Sequence, residues 1–148
     1  MPKTPAPPYQ PCPVARTLDV IGERWTLLIV RDLFDGIHRF GDLQRSLGVA
    51  RNILAGRLHK LVEAGILDTQ AASDGSAYQE YVLTTAGAQL FPVVVALRQW
   101  GERQRFAPGE PHSVLIDKRT GKPVPPMQPH GKDGATLRPA DTEVRKVS

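Results

Sequence analysis

A single cysteine, Cys12, occurs among the 148 residues. No intramolecular disulfide can form, and that scarcity points to a reducing, cytoplasmic setting. Long apolar runs are missing as well. None approaches the ~20 residues that span a bilayer, so no membrane partner is expected. Residues 1–13 also lack the apolar stretch of a secretory signal. Proline is nearly absent from the middle: six of the fourteen fall in residues 1–13, seven lie from Pro108 onward, and only Pro92 stands between. Proline fixes φ and removes a backbone donor, so regular structure is expected to concentrate in residues 13–105. Chemistry-bearing patterns are lacking too. His38, His59, His112 and His130 have no Cys, His, Asp or Glu at a metal-ligand spacing. There is no Gly-rich phosphate loop, nucleophile motif or acid pair. These gaps argue against an enzyme, a metal centre and a bound cofactor.

Hydrophobic content of 41% and charged content of 23% are ordinary for a globular chain. The length allows one domain with a real core. Three segments are predicted: a flexible stretch at 1–11, a folded domain at 12–105, and a Pro/Gly-rich, largely mobile extension at 106–148. Within the extension, residues 113–116 can form a short strand, with a turn near Arg119-Thr120-Gly121. The net charge is +4, but residues 14–104 hold ten basic and ten acidic side chains. What stands out is local. Arg39, Arg45, Arg51, Arg57 and Lys60 lie within a stretch whose one acidic residue is Asp42. Such an island is either a solvated helix face or a nucleic-acid footprint.

The first helix is predicted to start at Cys12-Pro13, because proline suits the first helical position. It carries Val14, Leu18 and Ile21 at helical spacing and stops at Gly22. A second runs over Arg24 to Phe34, with Trp25, Leu28, Ile29, Leu33 and Phe34 as its apolar stripe. A short third begins near Phe40 and ends at Gly48. The fourth spans Ala50 to Ala64. At ~100° per residue, Leu54, Leu58, Leu61 and Val62 share one face of it. Asn52, Gly56, His59, Lys60 and Glu63 share the other. A mid-helix glycine costs ~1 kcal/mol against alanine. Gly56 is either a surface glycine of little consequence or a place where something large approaches closely. Two strands follow, 66–71 and 78–83, around the turn Ser73-Asp74-Gly75-Ser76. Thr84-Thr85 caps one last long helix bearing Leu90, Val94, Leu97 and Gly101, with Pro92 bending it or sitting in its first turns.

This order of elements predicts an α+β, mostly helical fold: a winged helix-turn-helix with long N- and C-terminal helices. The glycine turn at Leu47-Gly48-Val49 suits the helix-turn-helix joint. The second helix of such a pair lies in the major groove of double-stranded DNA, its N-terminal residues at base edges. Arg51 and Asn52 occupy that end, and can pair bidentately with guanine and adenine. Arg39, Arg45, Arg57 and Lys60 are expected to neutralise phosphates, His59 to add a polar contact, and Ser73, Gly75 and Ser76 to touch the backbone or minor groove. His38 is expected to be structural. The competing reading is a winged helix that binds only protein, its basic island merely solvated. The discriminating feature is the polar face of the fourth helix.

Cys12-Pro13-Val14-Ala15, Ile21-Gly22-Glu23-Arg24-Trp25-Thr26 and Arg39-Phe40-Gly41-Asp42-Leu43 occur in that order. Ile53-Leu54-Ala55-Gly56-Arg57-Leu58 and Leu61-Val62-Glu63-Ala64-Gly65-Ile66-Leu67 follow. Tyr81-Val82-Leu83-Thr84-Thr85-Ala86-Gly87 and Trp100-Gly101 complete the set. Over residues 12–103 the chain resembles the HxlR-type winged-helix regulators of bacteria. The resemblance implies a homodimer joined by its first and last helices, which makes Val14, Leu18, Leu90, Val94, Leu97 and Trp100 interface candidates. It implies binding at a pseudo-palindromic operator, and in many members a response to an electrophile, oxidant or small metabolite; a repressor is expected. Residues 114–116 and 120–124 resemble the C-terminal extension of a subset of the family. A cysteine often precedes the glycine there; here Thr120 does.

Cys12 is the redox candidate, because a helix N-terminus and Arg16 one turn on both favour a thiolate. The alternative is a half-buried structural cysteine. Trp25, Phe34, Phe91 and Trp100 are spaced as core or interface residues, or else line an apolar effector pocket.

Overall fold

The structure, a computed structural model, describes residues 11–147. The segment expected to be flexible, 1–11, therefore lies almost wholly outside the described residues. The chain divides after Val94 into two compact units. No helix among the described residues is long and apolar enough to cross a membrane.

The first unit opens with α1 (Pro13–Ile21), whose N-cap is Cys12: its Sγ accepts the Ala15 N–H at 3.4 Å. Next come α2 (Arg24–Phe34), α3 (Phe40–Leu47) and α4 (Arg51–Glu63). Glu23 caps α2, its carboxylate accepting the Trp25 N–H at 3.1 Å. Gly48 ends α3 in the left-handed region at φ 63°, a conformation that a residue with a Cβ resists. The hairpin β1 (Leu67–Ala71) and β2 (Gln79–Leu83) pairs antiparallel, from Leu67 opposite Leu83 to Ala71 opposite Gln79. The chain before α3 lies along the other edge of β2, with the Tyr81 N–H donating to His38 O at 2.9 Å and His38 Nδ1 3.1 Å from Tyr81 O. His38 is thus a structural residue of the wing base.

Ile29 and Leu33 of α2, Leu43 of α3, Val49 of the turn, Leu54, Leu58 and Leu61 of α4, and Leu67 of β1 form one buried cluster. Each full burial of such a side chain is worth roughly 1.5–3 kcal/mol, so this cluster dominates the stability of the unit. The α2 stripe is only partly as the sequence suggests. Asp32 is also buried on this helix, its Oδ1 accepting from Arg31 Nε at 3.1 Å and Nη2 at 2.8 Å.

The single long last helix is a correction. Thr84 does cap a helix, its Oγ1 accepting the Gly87 N–H at 3.1 Å, but that helix is the four-residue α5 (Thr85–Ala88). The chain restarts as α6 (Phe91–Gln104). Pro92, the second residue of α6, has no N–H to continue a ladder from α5, so the break falls there. Gly87 packs tightly: a Cβ on it would come within 2.2 Å of Ile66 O.

The second unit, from Val95, holds the remainder of α6 and the extension. Gln99 is buried; its Nε2 donates to Pro125 O at 3.0 Å and its Oε1 accepts the Met127 N–H at 2.7 Å. Arg98 donates to Ser113 O and Oγ at 3.1 and 2.8 Å. A small hairpin, β3 (Ile116–Asp117) and β4 (Lys122–Pro123), turns through residues 118–121. The turn stands where the sequence puts it, and the strand begins at the last residue of the stretch expected to form one.

Candidate nucleic-acid interface

The outer face of α4 is presented by what its inner face buries. Leu54, Leu58 and Leu61 are seated in the core, which turns Asn52, His59, Lys60 and Glu63 to solvent. Arg51, the first residue of α4, is exposed, and its guanidinium lies 4.9 Å from the Phe40 ring centroid. Resting on an aromatic face rather than on a carboxylate, it keeps its donor edge open. Ala50 supplies no side-chain cap, so the first-turn N–H groups of α4 are also open. Gly56 has nothing within 4 Å of where a Cβ would stand. Packing inside this chain does not require a glycine there.

The wing is organised by ionic contacts. Asp74 Oδ1 accepts the Ser76 N–H at 2.9 Å, and Asp74 Oδ2 accepts from Arg39. The Ser76 N–H and the Arg39 guanidinium together push the Asp74 carboxyl down to about 2. Asp74 in turn raises Arg39 above the usual guanidinium value. Ser73 and Gly75 are exposed and Ser76 half-buried. Tyr78, 67% exposed, lies 5.3 Å from the Arg39 guanidinium.

The remaining basic candidates differ in how free they are. Arg57 points back into its own domain, its Nε donating to Glu23 Oε2 at 2.7 Å. Burial works to raise the Glu23 carboxyl, but the Trp25 N–H and Arg57 outweigh it and hold it below the usual value. The pair ties α4 to the start of α2. Arg45 is exposed and pairs with Asp42 one turn earlier on α3. His59 Nε2 lies 3.3 Å from Glu63, and Lys60 is exposed. An open cleft of about 680 Å³ lies between the α3–α4 pair and the wing, lined by Arg39, Arg45, Arg51, Phe40, Tyr78 and Tyr81 among others. Sequence reasoning found its arginines. It missed Phe40, which holds Arg51, and Asp74, Tyr78 and Glu80, which hold Arg39; it also missed Glu23, the partner of Arg57. Of these, only the Asx-type turn at Asp74 carried a local signal.

The interface candidates divide by exposure. Val14 and Leu18 on α1, and Leu97 and Trp100 on α6, are exposed; Leu90 and Val94 are half-buried. Phe34 and Phe91 meet edge-to-face with centroids 5.2 Å apart. Trp25 packs against the main cluster with Arg24 over its ring. Cys12 is half-buried.

Two helices joined by a glycine turn, the second with a free polar face, followed by a two-stranded hairpin, define a winged helix-turn-helix domain. The chain belongs to the HxlR-like helix-turn-helix family of transcriptional regulators: the model of that description matches residues 20–107. It is 43% identical over 113 residues to an uncharacterized HTH-type transcriptional regulator of Mycobacterium tuberculosis, covering 76% of this chain and 72% of that one. The crystal structure of PA1607, described as a candidate transcription factor, superposes with a TM-score of 0.87 at 53% identity over 92% of this chain and 95% of that one. The redox regulator HypR in its reduced form matches with a TM-score of 0.57 at 33% identity, over 63% of this chain and 93% of HypR.

Proposed function

We propose that the protein is a homodimeric, sequence-specific DNA-binding repressor of the bacterial cytoplasm, acting at the nucleoid on a pseudo-palindromic operator. The observation that carries this reading is the start of α4, where Arg51 rests on Phe40 beside an exposed Asn52 and open backbone donors. Arg51 and Asn52 read base edges, and the helix start takes a phosphate. Gly56 allows the groove wall to come close, while His59, Lys60 and Arg45 contact the DNA along the same side. Ser73, Gly75 and Ser76 meet the neighbouring groove or backbone. Arg57 supports the helix from behind. Residues 12–105 serve as the DNA-binding and dimerisation region and 106–148 as an appendage to it. Val14, Leu18, Leu90, Val94, Leu97 and Trp100 are the surface for a second copy, and covering the exposed members of this set favours that assembly.

The test is binding to the DNA upstream of the protein's own gene, against a scrambled fragment. Arg51→Ala and Asn52→Ala are each expected to lose about tenfold or more in specific affinity, since a bidentate base contact is worth ~1–3 kcal/mol. Their folding and dimerisation are expected to be unchanged. Full retained affinity in both would count against the start of α4 as the base-reading element.

Release from DNA is assigned to an oxidant or electrophile acting at Cys12, or to a small-molecule effector. HypR, a redox regulator, supports the first by likeness. Oxidant is expected to weaken the parent's operator complex and to leave Cys12→Ser bound. An equal response in both proteins would remove Cys12 from the mechanism.

A further inference from the structure

We propose that Arg39 is the positioning residue of the wing, setting the hairpin against the α3–α4 pair through Asp74 and Glu80 rather than contacting phosphate. Its consequence for DNA rests on the function proposed above. Arg39 is the N-cap residue of α3, directly before the helix-turn-helix pair. Its Nη2 donates to Asp74 Oδ2 in the wing turn and lies 3.5 Å from Ser76 Oγ. Its Nε lies 3.8 Å from Glu80 Oε2 on β2, and its plane faces Tyr78. Four wing residues thus converge on one guanidinium.

Glu80 makes the arrangement a clamp. It is only 8% exposed, and its other oxygen accepts the Ser73 N–H at 3.4 Å. The carboxylate therefore joins Arg39 to the first residue of the turn. At the wing base, the Tyr81 N–H to His38 O bond fixes β2 beside the same arginine. Residues 73–77 lie beyond the last cross-hairpin hydrogen bond, Ala72 N–H to Tyr78 O at 3.0 Å, and Arg39 is what joins them to α3. Charge bears on the alternative. One cation here faces two carboxylates, Asp74 and Glu80. The cluster is net negative, which is a poor phosphate site.

Asp74→Asn separates the two roles, because asparagine keeps the acceptor for the Ser76 N–H while losing the ionic partner of Arg39. Electrostatics alone would make this variant bind DNA more tightly, since a negative charge leaves the DNA-facing side. Positioning predicts binding weaker by about two- to fivefold, the range of a partly exposed ion pair, with the salt dependence unchanged. Arg39→Gln is expected to weaken binding comparably. The double variant is expected to be no worse than either single one. Hydrogen exchange on the free protein provides an arm independent of DNA. Amides of residues 73–77 are expected to exchange faster in both variants, with α4 unchanged. Unchanged wing exchange, equal or tighter DNA binding by Asp74→Asn, or a salt slope lowered by about one unit in Arg39→Gln would each overturn the proposal. Should the parent bind no DNA at all, the proposed function falls, and the exchange arm still decides the clamp.

Discussion

Arg51 and Arg57 have the same side chain, stand six residues apart on one helix and do different things. Arg57 is held by Glu23 and stabilises the scaffold, whereas Arg51 lies over Phe40 with its donors outward. Spacing alone could not separate them, because the separation depends on partners from α2 and α3 distant in sequence. Arg51→Lys is therefore expected to behave like a loss of the base contact. Lysine keeps the charge but not the planar fork. A binding assay on operator and scrambled DNA checks this: the ratio of the two affinities should fall, while binding to scrambled DNA stays nearly constant.

Asp74 supplies a pH prediction of the same scale. Its carboxyl is pushed down to about 2, first by the Ser76 N–H and then by Arg39. A carboxyl lowered in the folded state contributes stability that is present above its unfolded value of 3.8 and disappears as pH falls toward about 2. The wing contact is thus intact across the neutral range. The affinity ratio of parent to Asp74→Asn is expected to be flat from about pH 5.5 to 8. A step in that ratio would mean that another group controls the wing.

At the scale of elements, the hinge of the design is the tie from the start of α2 to the back of α4. Glu23 both caps α2 and holds Arg57. Glu23→Ala is expected to destabilise the domain by about 1 kcal/mol in urea unfolding, the usual worth of a lost cap. Arg57→Ala should cost less, because a half-exposed ion pair contributes little on its own. Leu58→Ala, by contrast, empties a site in the core and should cost about 2–5 kcal/mol. The ends of α2 and α4 and the wing turn were legible in the sequence, since each is marked by local chemistry: Asp35-Gly36, Gly65 at φ 77°, and Asp74-Gly75. The break between α5 and α6 was legible only as a proline, not as two helices. Burial of Asp32 and Glu80 was not legible at all. Both sit where packing from other elements, rather than local pattern, decides.

For the whole molecule, α1 and α6 leave large apolar side chains uncovered: Val14, Leu18, Leu97 and Trp100. If a second copy covers them, charging either helix should dissociate it. Leu18→Glu and Leu97→Glu are expected to run as monomers in light scattering and to lose most operator affinity, since one half-site then binds without the other. A monomeric parent that still binds the operator tightly would exclude the two-fold arrangement. The extension beyond α6 is anchored to it through Gln99 and Arg98. Nothing in the winged-helix pattern encodes those contacts, since they join residues 15 to 28 positions apart.

The most direct test is footprinting of the purified protein on DNA from upstream of its own gene, at two salt concentrations, with Arg51→Ala alongside. A symmetric protected site, weakened by salt and lost in Arg51→Ala, is the predicted result. The same symmetric footprint, kept at full strength in Arg51→Ala, would contradict α4 as the element that reads sequence.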